Sequence, residues 1–175
     1  PTGLILAAQL QRYGVSFRII DRALDRAHES RALAVQPRTL EVLAGLGVTE
    51  QIVERGNRAV QLQLHAGRKV VRLQLFDIGA DDTAYPYLLF LSQAETERIL
   101  GEHLADHGVE IERGVELREL SQAGGGVSGR LRHQDGREEF VQAGYVVGCD
   151  GGHSTVRAQA GIAFEALQDV GPAPT

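Results

Sequence analysis

Cysteine is nearly absent from this sequence, because Cys149 is the single example among 175 residues. One cysteine excludes an internal disulfide framework and is typical of a protein in a reducing compartment, so we expect a cytoplasmic location. Long apolar runs are also absent, since none reaches the roughly 18 residues that suggest a membrane span. The chain begins at Pro1 without a basic leader, so we expect no signal peptide.

Clusters of basic residues are missing as well. The formal net charge is -5, the pI is about 5.7, and no Lys/Arg cluster is interleaved with aromatic residues as a nucleic-acid surface requires. We therefore expect no nucleic-acid partner. His103 and His107 lie one helical turn apart, but no third ligand is near them in sequence, so we expect no metal site.

The composition that remains is that of a soluble globular protein, with 43% hydrophobic and 23% charged residues. Apolar residues at helical spacing predict a helix over 4–13 that Gly14 ends, and the β-branched and aromatic run 15–20 predicts a buried strand before Asp21. Pro37 sits well in the first turn of a second helix, which a short helical segment follows. This order of helix and strand indicates an α/β unit.

The middle of the chain changes to alternating apolar and polar residues. Between residues 60 and 90 the alternation predicts a hairpin around Gly67 with one buried face. Ser92 and Glu95 predict a capping box at the start of a helix over 93–107. Gly108 should end this helix.

The last third of the chain predicts strands near 109–112 and Leu117, then a hairpin with strands 127–133 and 138–143 around an Asp-Gly turn. We expect the glycine run 124–126 to form a flexible loop. The apolar segment 145–149 predicts a buried strand that contains Cys149 as a small core residue, and Ser154 predicts the cap of a following helix.

Two residues near the start match the back half of a dinucleotide-binding unit. Gly3 begins the first helix, and Asp21 ends the strand that follows it. In a complete unit, such a glycine admits a pyrophosphate and such a carboxylate binds ribose hydroxyls. Only the third glycine of that pattern is present here. An ordinary packing glycine and a strand-end aspartate explain the same residues equally well.

The segment 145–157 is more specific. A strand here would deliver the Asp150 carboxylate to the carboxyl edge of a sheet, and Gly151 and Gly152 would allow close backbone approach by a ligand. A capped helix follows, from which Arg157 can reach back. The alternative is a glycine-rich turn with a surface arginine.

These residues together resemble the single-component flavoprotein aromatic hydroxylases, which include phenol, p-hydroxybenzoate and polyketide hydroxylases. The likeness spans nearly the whole chain. It is carried, in chain order, by Pro1–Leu4, Ile20–Arg22, Ser30–Ala32, Pro37–Glu41, Ser92–Gln93 and Cys149–Gly151. The family's second, Gly-Asp motif and most of its substrate-binding sheet have no counterpart, so we expect an incomplete, N-terminal piece that is inactive by itself.

The resemblance implies a set of residues that bind the cofactor and names no catalytic residue. The set consists of Gly3, Asp21, Arg22, Arg31, Gln93, Asp150, Gly151 and Arg157. By resemblance, Gly3 and Arg31 would face the FAD pyrophosphate and Asp21 the adenosine ribose. Gln93 would contact the ribityl or pyrophosphate segment. Asp150 and Gly151 would serve both FAD and the nicotinamide donor.

The implied fold is α/β: a Rossmann-like FAD-binding domain with a parallel sheet and a missing first strand, interrupted by the start of a β-rich substrate domain. We expect the FAD-binding domain at 1–59 and 92–165, the start of the substrate sheet at 60–91, and a linker or truncated end at 166–175.

The implied function is NAD(P)H-dependent insertion of one oxygen atom into an aromatic small molecule, with FAD as cofactor and NADPH or NADH as electron donor. A homo-oligomer is compatible with the sequence. Two alternatives stay open. One is another FAD-dependent oxidoreductase, such as an epoxidase, halogenase or reductase, and the other is a non-catalytic FAD-binding fragment.

Overall fold

A computed structural model describes residues 1–25, 33–59, 61–67, 69–74 and 82–164. It is a mixed α/β structure that divides into two compact units. The first unit contains residues 1–19 and 23–112, and the second contains 20–22 and 113–175.

Four helices form most of the first unit: α1 (Thr2–Arg12), α2 (Pro37–Ala44), α3 (Thr49–Arg55) and α4 (Gln93–Asp106). Pro37 occupies the first turn of α2, as predicted. Gly14 and Gly108 follow the ends of α1 and α4 with φ values of 66° and 75°, which confirms both predicted glycine stops. The predicted helices are therefore confirmed with bounds that differ by one or two residues.

The core of the first unit lies between these helices and a short sheet. Strands β2 (Ala34–Val35) and β3 (Asn57–Ala59) pair with the two sides of β6 (Leu88–Phe90), all antiparallel. The helices and β6 contribute the fully buried side chains, which are Leu40, Leu43, Ile52, Leu89, Ile99, Leu100 and Leu104. Helix α1 packs against α4 and buries Leu4, Ala7 and Ala8.

The predicted hairpin around Gly67 is present. Strands β4 (Gln61–Ala66) and β5 (Lys69–Gln74) pair antiparallel, with Leu64 opposite Val71. The expected buried face is not found at Val71, whose side chain is 49% exposed. Val70, on the other face of the same strand, is equally exposed.

The parallel sheet consists of two short strands, β1 (Ile19–Asp21) and β7 (Ile111–Arg113), which pair with each other. The predicted strand over 15–20 is wrong for residues 15–18, which have no strand partner among the described residues. Strand assignment requires a hydrogen-bonded neighbour, so an apolar run without one stays irregular.

The second unit is built on an antiparallel sheet with the order β10-β9-β8. Its strands are β8 (Val115–Ala123), β9 (Gly126–His133) and β10 (Glu138–Ala143). The predicted hairpin of β9 and β10 is confirmed, with the turn glycine, Gly136, at φ 84°. The glycine run at 124–126 is not the expected flexible loop. Gly124 and Gly125 have φ values of 63° and 82° and make the tight turn between β8 and β9, for which two positive φ angles are required.

The segment 145–149 corrects another prediction. It is not a strand in this structure, and its apolar side chains are exposed, with Tyr145 at 91% and Val147 at 62%. Cys149 is exposed and not a buried core residue. No strand in the described part of the chain lies beside this segment, so its apolar side chains stay uncovered. A 3-10 turn (Gly151–His153) and helix α5 (Thr155–Gln159) follow it.

Candidate functional site

Asp150 is held by the turn that follows it. One of its carboxylate oxygens, Oδ1, accepts a hydrogen bond from the Ser154 hydroxyl at 2.5 Å. The other, Oδ2, accepts from the backbone N–H groups of Thr155 at 2.6 Å and Val156 at 3.3 Å. These N–H groups belong to the first turn of α5 and have no partner within the helix. Asp150 therefore caps α5 and has a fixed orientation.

The same contacts set the charge of Asp150. Partial burial raises the pKa of its carboxyl, but hydrogen bonds from Ser154 and from the Thr155 and Val156 backbone lower it by more. The net result is a pKa below the ordinary value of 3.8. Asp150 is thus an anion at neutral pH, at the positive end of a helix dipole.

Ser154 and Arg157 complete the loop. The Ser154 hydroxyl oxygen accepts from the Arg157 backbone N–H at 3.0 Å, which confirms the predicted cap. The Arg157 guanidinium turns back and donates to the carbonyl of Gly152 at 2.9 Å and more weakly to that of Gly151 at 3.5 Å. It also lies 4.3 Å from the ring centre of Phe164, within range of a cation–π contact. The prediction that Arg157 reaches back from the helix is confirmed by these contacts. That Arg157 contacts a ligand stays a prediction.

Gly151 leaves its backbone open on one side. Its φ is 77°, and a Cβ built there would have no neighbour within 4 Å. Gly148 is different, because a Cβ there would lie 2.7 Å from Cβ of Val156. The two glycines therefore serve different purposes: Gly148 allows close packing on α5, and Gly151 gives a bend with an approachable backbone.

Gln159 connects α5 to the sheet, and the sequence analysis missed it. Its side-chain amide donates to the Arg118 carbonyl at 2.7 Å and accepts from the Leu120 backbone N–H. Strand β8 has a register shift between Leu117 and Glu119, where a bulge leaves backbone groups without ladder partners. Gln159 satisfies two groups at this bulge. Such a contact depends on pairing between distant segments, so no local pattern could have revealed it.

Asp21 ends β1 and is paired with Arg113 at the end of β7. The Arg113 guanidinium Nη1 donates to Asp21 Oδ2 at 3.0 Å, and the two side chains are 27% and 46% exposed. In the first unit, Arg18 makes a bidentate ion pair with Glu112, at 2.7 and 2.6 Å. The structure thus gives Asp21 a cationic neighbour that sequence reasoning did not identify.

Gly3 and Gln93 lie in the first unit. Gly3 is half-buried in the first turn of α1, a helix whose start has no side-chain cap and no acidic residue. Gln93 is the first residue of α4 and donates from Nε2 to Glu97 at 2.8 Å. Both residues are therefore placed at helix starts, where backbone N–H groups and the helix dipole favour anions.

The predicted capping box at α4 is wrong. Ser92 occupies the N-cap position, but its side chain makes no capping hydrogen bond. Glu95 instead accepts from Arg98 at 2.9 and 2.7 Å, and it lies 3.6 Å from Arg55. The Ser92 half of the capping box is therefore absent, and the Glu95 carboxylate takes part in ion pairs with two arginines.

Two predicted residues have no defined role in the structure. Arg22 follows β1 with an exposed side chain. Arg31 lies outside the described residues. Within the described ranges, no group of three or more His, Cys, Asp or Glu side chains is arranged to hold a metal ion. No described helix has the length and hydropathy of a membrane span.

Comparison with known proteins shows which family this chain belongs to. The profile of the family described as "FAD binding domain" matches residues 1–174. The chain belongs to this FAD binding domain family. FAD is accordingly the cofactor of the domain, and the α/β fold with its parallel sheet agrees with that assignment.

Several relatives of the domain are named monooxygenases. The chain is 46% identical over 163 residues to 6-methylpretetramide 4-monooxygenase of Streptomyces rimosus. The aligned region covers 93% of this chain and 29% of that protein. The structure of this chain superposes on p-nitrophenol 4-monooxygenase of Pseudomonas putida with a TM-score of 0.88. The sequence identity is 27%, and the superposition covers 95% of this chain and 42% of the other.

A third comparison is with the flavin-dependent monooxygenase PieE, solved in complex with FAD and substrate. The TM-score is 0.81 at 31% identity, over 93% of this chain and 30% of that one. The chain therefore spans about a third of the length of the proteins it matches.

Proposed function

We propose that this chain is the FAD-binding part of an NAD(P)H-dependent monooxygenase that hydroxylates an aromatic small molecule, phenolic or polyketide. The observation that carries the proposal is the family match over residues 1–174, supported by relatives that are named monooxygenases. Bound FAD would supply the redox chemistry, with NADPH or NADH as the electron donor. The residues of this chain would bind and orient the FAD.

In the second unit, Asp21 would accept hydrogen bonds from the adenosine ribose of FAD. Asp150 and Gly151 would meet the cofactor and the nicotinamide donor, and Arg157 would support this loop through the carbonyls of Gly151 and Gly152. The open side of Gly151 supports this role, since a ligand can approach the backbone where a Cβ would have no neighbour.

In the first unit, Gly3 would face the FAD pyrophosphate from the start of α1. The absence of an acidic residue and of a side-chain cap in the first turn of α1 fits an anion at this end. Gln93 would contact the ribityl or pyrophosphate segment from the start of α4. Arg31 would face the pyrophosphate region and Arg22 would belong to the cofactor-binding set, as the resemblance implies.

The domain bounds are part of the same proposal. Residues 1–59 and 92–165 would form the FAD-binding domain, 60–91 the start of a substrate-binding sheet, and 166–175 a linker or truncated end. The partner would be an aromatic small molecule and not a nucleic acid, and a homo-oligomer is compatible with this arrangement. The cytoplasmic location suggested by the single cysteine stays a prediction.

The decisive experiment uses the complete protein that contains this chain. It is supplied with FAD, NADPH or NADH, oxygen-18 gas and a panel of phenols and polycyclic polyketides, and products are analysed by mass spectrometry. We expect a product that carries one oxygen-18 atom on an aromatic ring, formed only with the nicotinamide donor. Labelled epoxide, halogenated product or reduction without oxygen incorporation would identify one of the rival oxidoreductases instead. FAD binding without any turnover would indicate a binding module.

A further inference from the structure

We propose that Arg113 is a positioning residue for the adenosine half of FAD and that it acts through Asp21. The inference rests on the proposed function, because it takes Asp21 as the contact for the adenosine ribose. It adds a residue that no sequence pattern indicated. Its basis is the hydrogen bond from Arg113 Nη1 to Asp21 Oδ2, 3.0 Å long, between residues 92 positions apart.

The position of the pair in the fold gives the first argument. Asp21 and Arg113 are the last residues of β1 and β7, two strands that pair with each other. A carboxylate at the end of a strand can rotate about its side-chain bonds unless a neighbour holds it. The guanidinium donates in a fixed direction, so it limits that rotation and keeps the carboxylate at the strand end.

A second argument concerns what Arg113 is not needed for. Arg18, which directly precedes β1, already forms a bidentate ion pair with Glu112 of β7, with distances of 2.7 and 2.6 Å. A partly exposed ion pair such as that of Asp21 and Arg113 contributes little to stability. Removing Arg113 should therefore leave the strands paired and take one charged hydrogen-bond donor from the Asp21 carboxylate.

The chemistry of the ligand then determines which measurement is sensitive to Arg113. A ribose offers hydroxyl groups that donate to an oriented carboxylate, and each lost donor–acceptor alignment weakens binding. FMN lacks the adenosine half of FAD. Loss of Arg113 should therefore weaken the binding of FAD and leave the binding of FMN unchanged, a split that general loss of structure would not produce.

The test is a fluorescence titration of the complete protein that contains this chain, freed of its cofactor, with FAD and, separately, with FMN. Variants are Arg113→Gln, Arg113→Lys, Asp21→Asn and their double mutant Asp21→Asn with Arg113→Gln. Arg18→Gln is the matched control, because it breaks an ion pair of the same strands without touching Asp21. Circular dichroism confirms that each variant is folded.

We expect Asp21→Asn to weaken FAD binding about tenfold or more and Arg113→Gln about fivefold, with Arg113→Lys recovering part of the loss. The double mutant should bind FAD no more weakly than Asp21→Asn, because Arg113 acts through that carboxylate. FMN affinity should change in none of them, and Arg18→Gln should bind FAD normally.

The failures are distinguishable. If Asp21→Asn weakens FAD binding and Arg113→Gln does not, the inference is overturned and the proposed ribose contact stands. The inference is also overturned if Arg113→Gln weakens the binding of FAD and of FMN equally. The same holds if Arg18→Gln weakens FAD binding as much as Arg113→Gln does, because either result indicates a structural effect. Unchanged FAD affinity in Asp21→Asn, or no FAD binding by the unaltered complete protein, would overturn the proposed Asp21 contact and the inference with it.

Discussion

At the scale of single residues, substitution of Gly151 is the most direct test of whether the loop that contains Asp150 and Gly151 contacts FAD. Its φ of 77° suits glycine, and the space beside it is open. In the complete protein, Gly151→Val should strain the backbone by roughly 1–2 kcal/mol. The valine should also fill the space through which a ligand would approach. We expect lower FAD content after purification and slower reduction by NADPH, measured by flavin absorbance.

Gly136→Val is the matched control for this substitution. Gly136 has a φ of 84°, lies in the same unit and likewise has no neighbour within 4 Å of a built Cβ. Both variants should lose similar thermal stability, but Gly136→Val should keep normal FAD content. Normal FAD content and normal reduction in Gly151→Val would mean that the loop is merely structural.

The residue scale also shows what the sequence could and could not reveal. The sequence located Asp150, Ser154 and Arg157, because their relations are local and span a few positions. It did not reveal that Asp150 caps α5, since the capping role had been assigned to Ser154 alone. It missed Arg113 and Gln159, whose partners lie 92 and about 40 positions away. Such contacts arise from the fold.

At the scale of elements, the Asp150 cap makes α5 dependent on pH. The pKa of Asp150 in the folded chain is below its ordinary value of 3.8, so its stabilising contribution is present above about pH 4 and is lost as pH falls through the lowered pKa. Asp150→Asn removes the charge and one acceptor oxygen. It should lower the free energy of unfolding by about 1 kcal/mol at pH 7. Urea denaturation at pH 7, 5 and 3 should show this difference shrinking at the lowest pH.

Asp135→Asn serves as the control for loss of a carboxylate. Asp135 lies in the same unit and accepts a single hydrogen bond, from the Arg137 backbone N–H at 2.9 Å. Its replacement should cost less than that of Asp150, because asparagine can accept the same bond. A difference between the Asp150 variant and the unaltered chain that persists undiminished at pH 3 would contradict the proposed origin of the cap's stability.

Elements whose signals are local were predicted well. Gly14, Pro37, Gly108 and the Asp135–Gly136 turn are each placed by a backbone preference that the neighbouring sequence determines. Strands were predicted less well. The segment 145–149 has the composition of a buried strand, yet it remains irregular and exposed, because a strand exists only with a partner beside it.

The capping box at α4 failed for a different reason. Ser92 and Glu95 have the right spacing, but Arg98 lies three positions further along the same helix and Arg55 reaches Glu95 from α3. A charged partner competes with the N-cap backbone for the same carboxylate. Spacing alone therefore identifies residues that could form a capping box. Whether the box forms also depends on the charges around them.

At the scale of the whole molecule, the family match covers residues 1–174 of this chain and about a third of the length of the matched proteins. Each compact unit, taken by itself, contains residues proposed to contact FAD. Each unit contributes a different type of group. Helix starts with Gly3 and Gln93 belong to the first, and the carboxylates of Asp21 and Asp150 belong to the second. A ligand that binds these residues in the folded chain should raise the free energy of unfolding.

Thermal unfolding of the 175-residue chain tests this directly. A ligand that binds only the folded state at 100 times its dissociation constant stabilises it by about 2.7 kcal/mol. For a chain of this size, that corresponds to a rise in Tm of roughly 5 to 10 °C. We expect FAD to produce such a rise and FMN a smaller one at the same concentration, because FMN cannot use the proposed Asp21 contact. ADP should stabilise the chain weakly on its own, since it shares the adenosine ribose and the pyrophosphate with FAD. Equal shifts with FAD and FMN at the same concentration would contradict adenosine recognition by this chain. No shift with FAD at any concentration would contradict FAD binding by the 175 residues themselves.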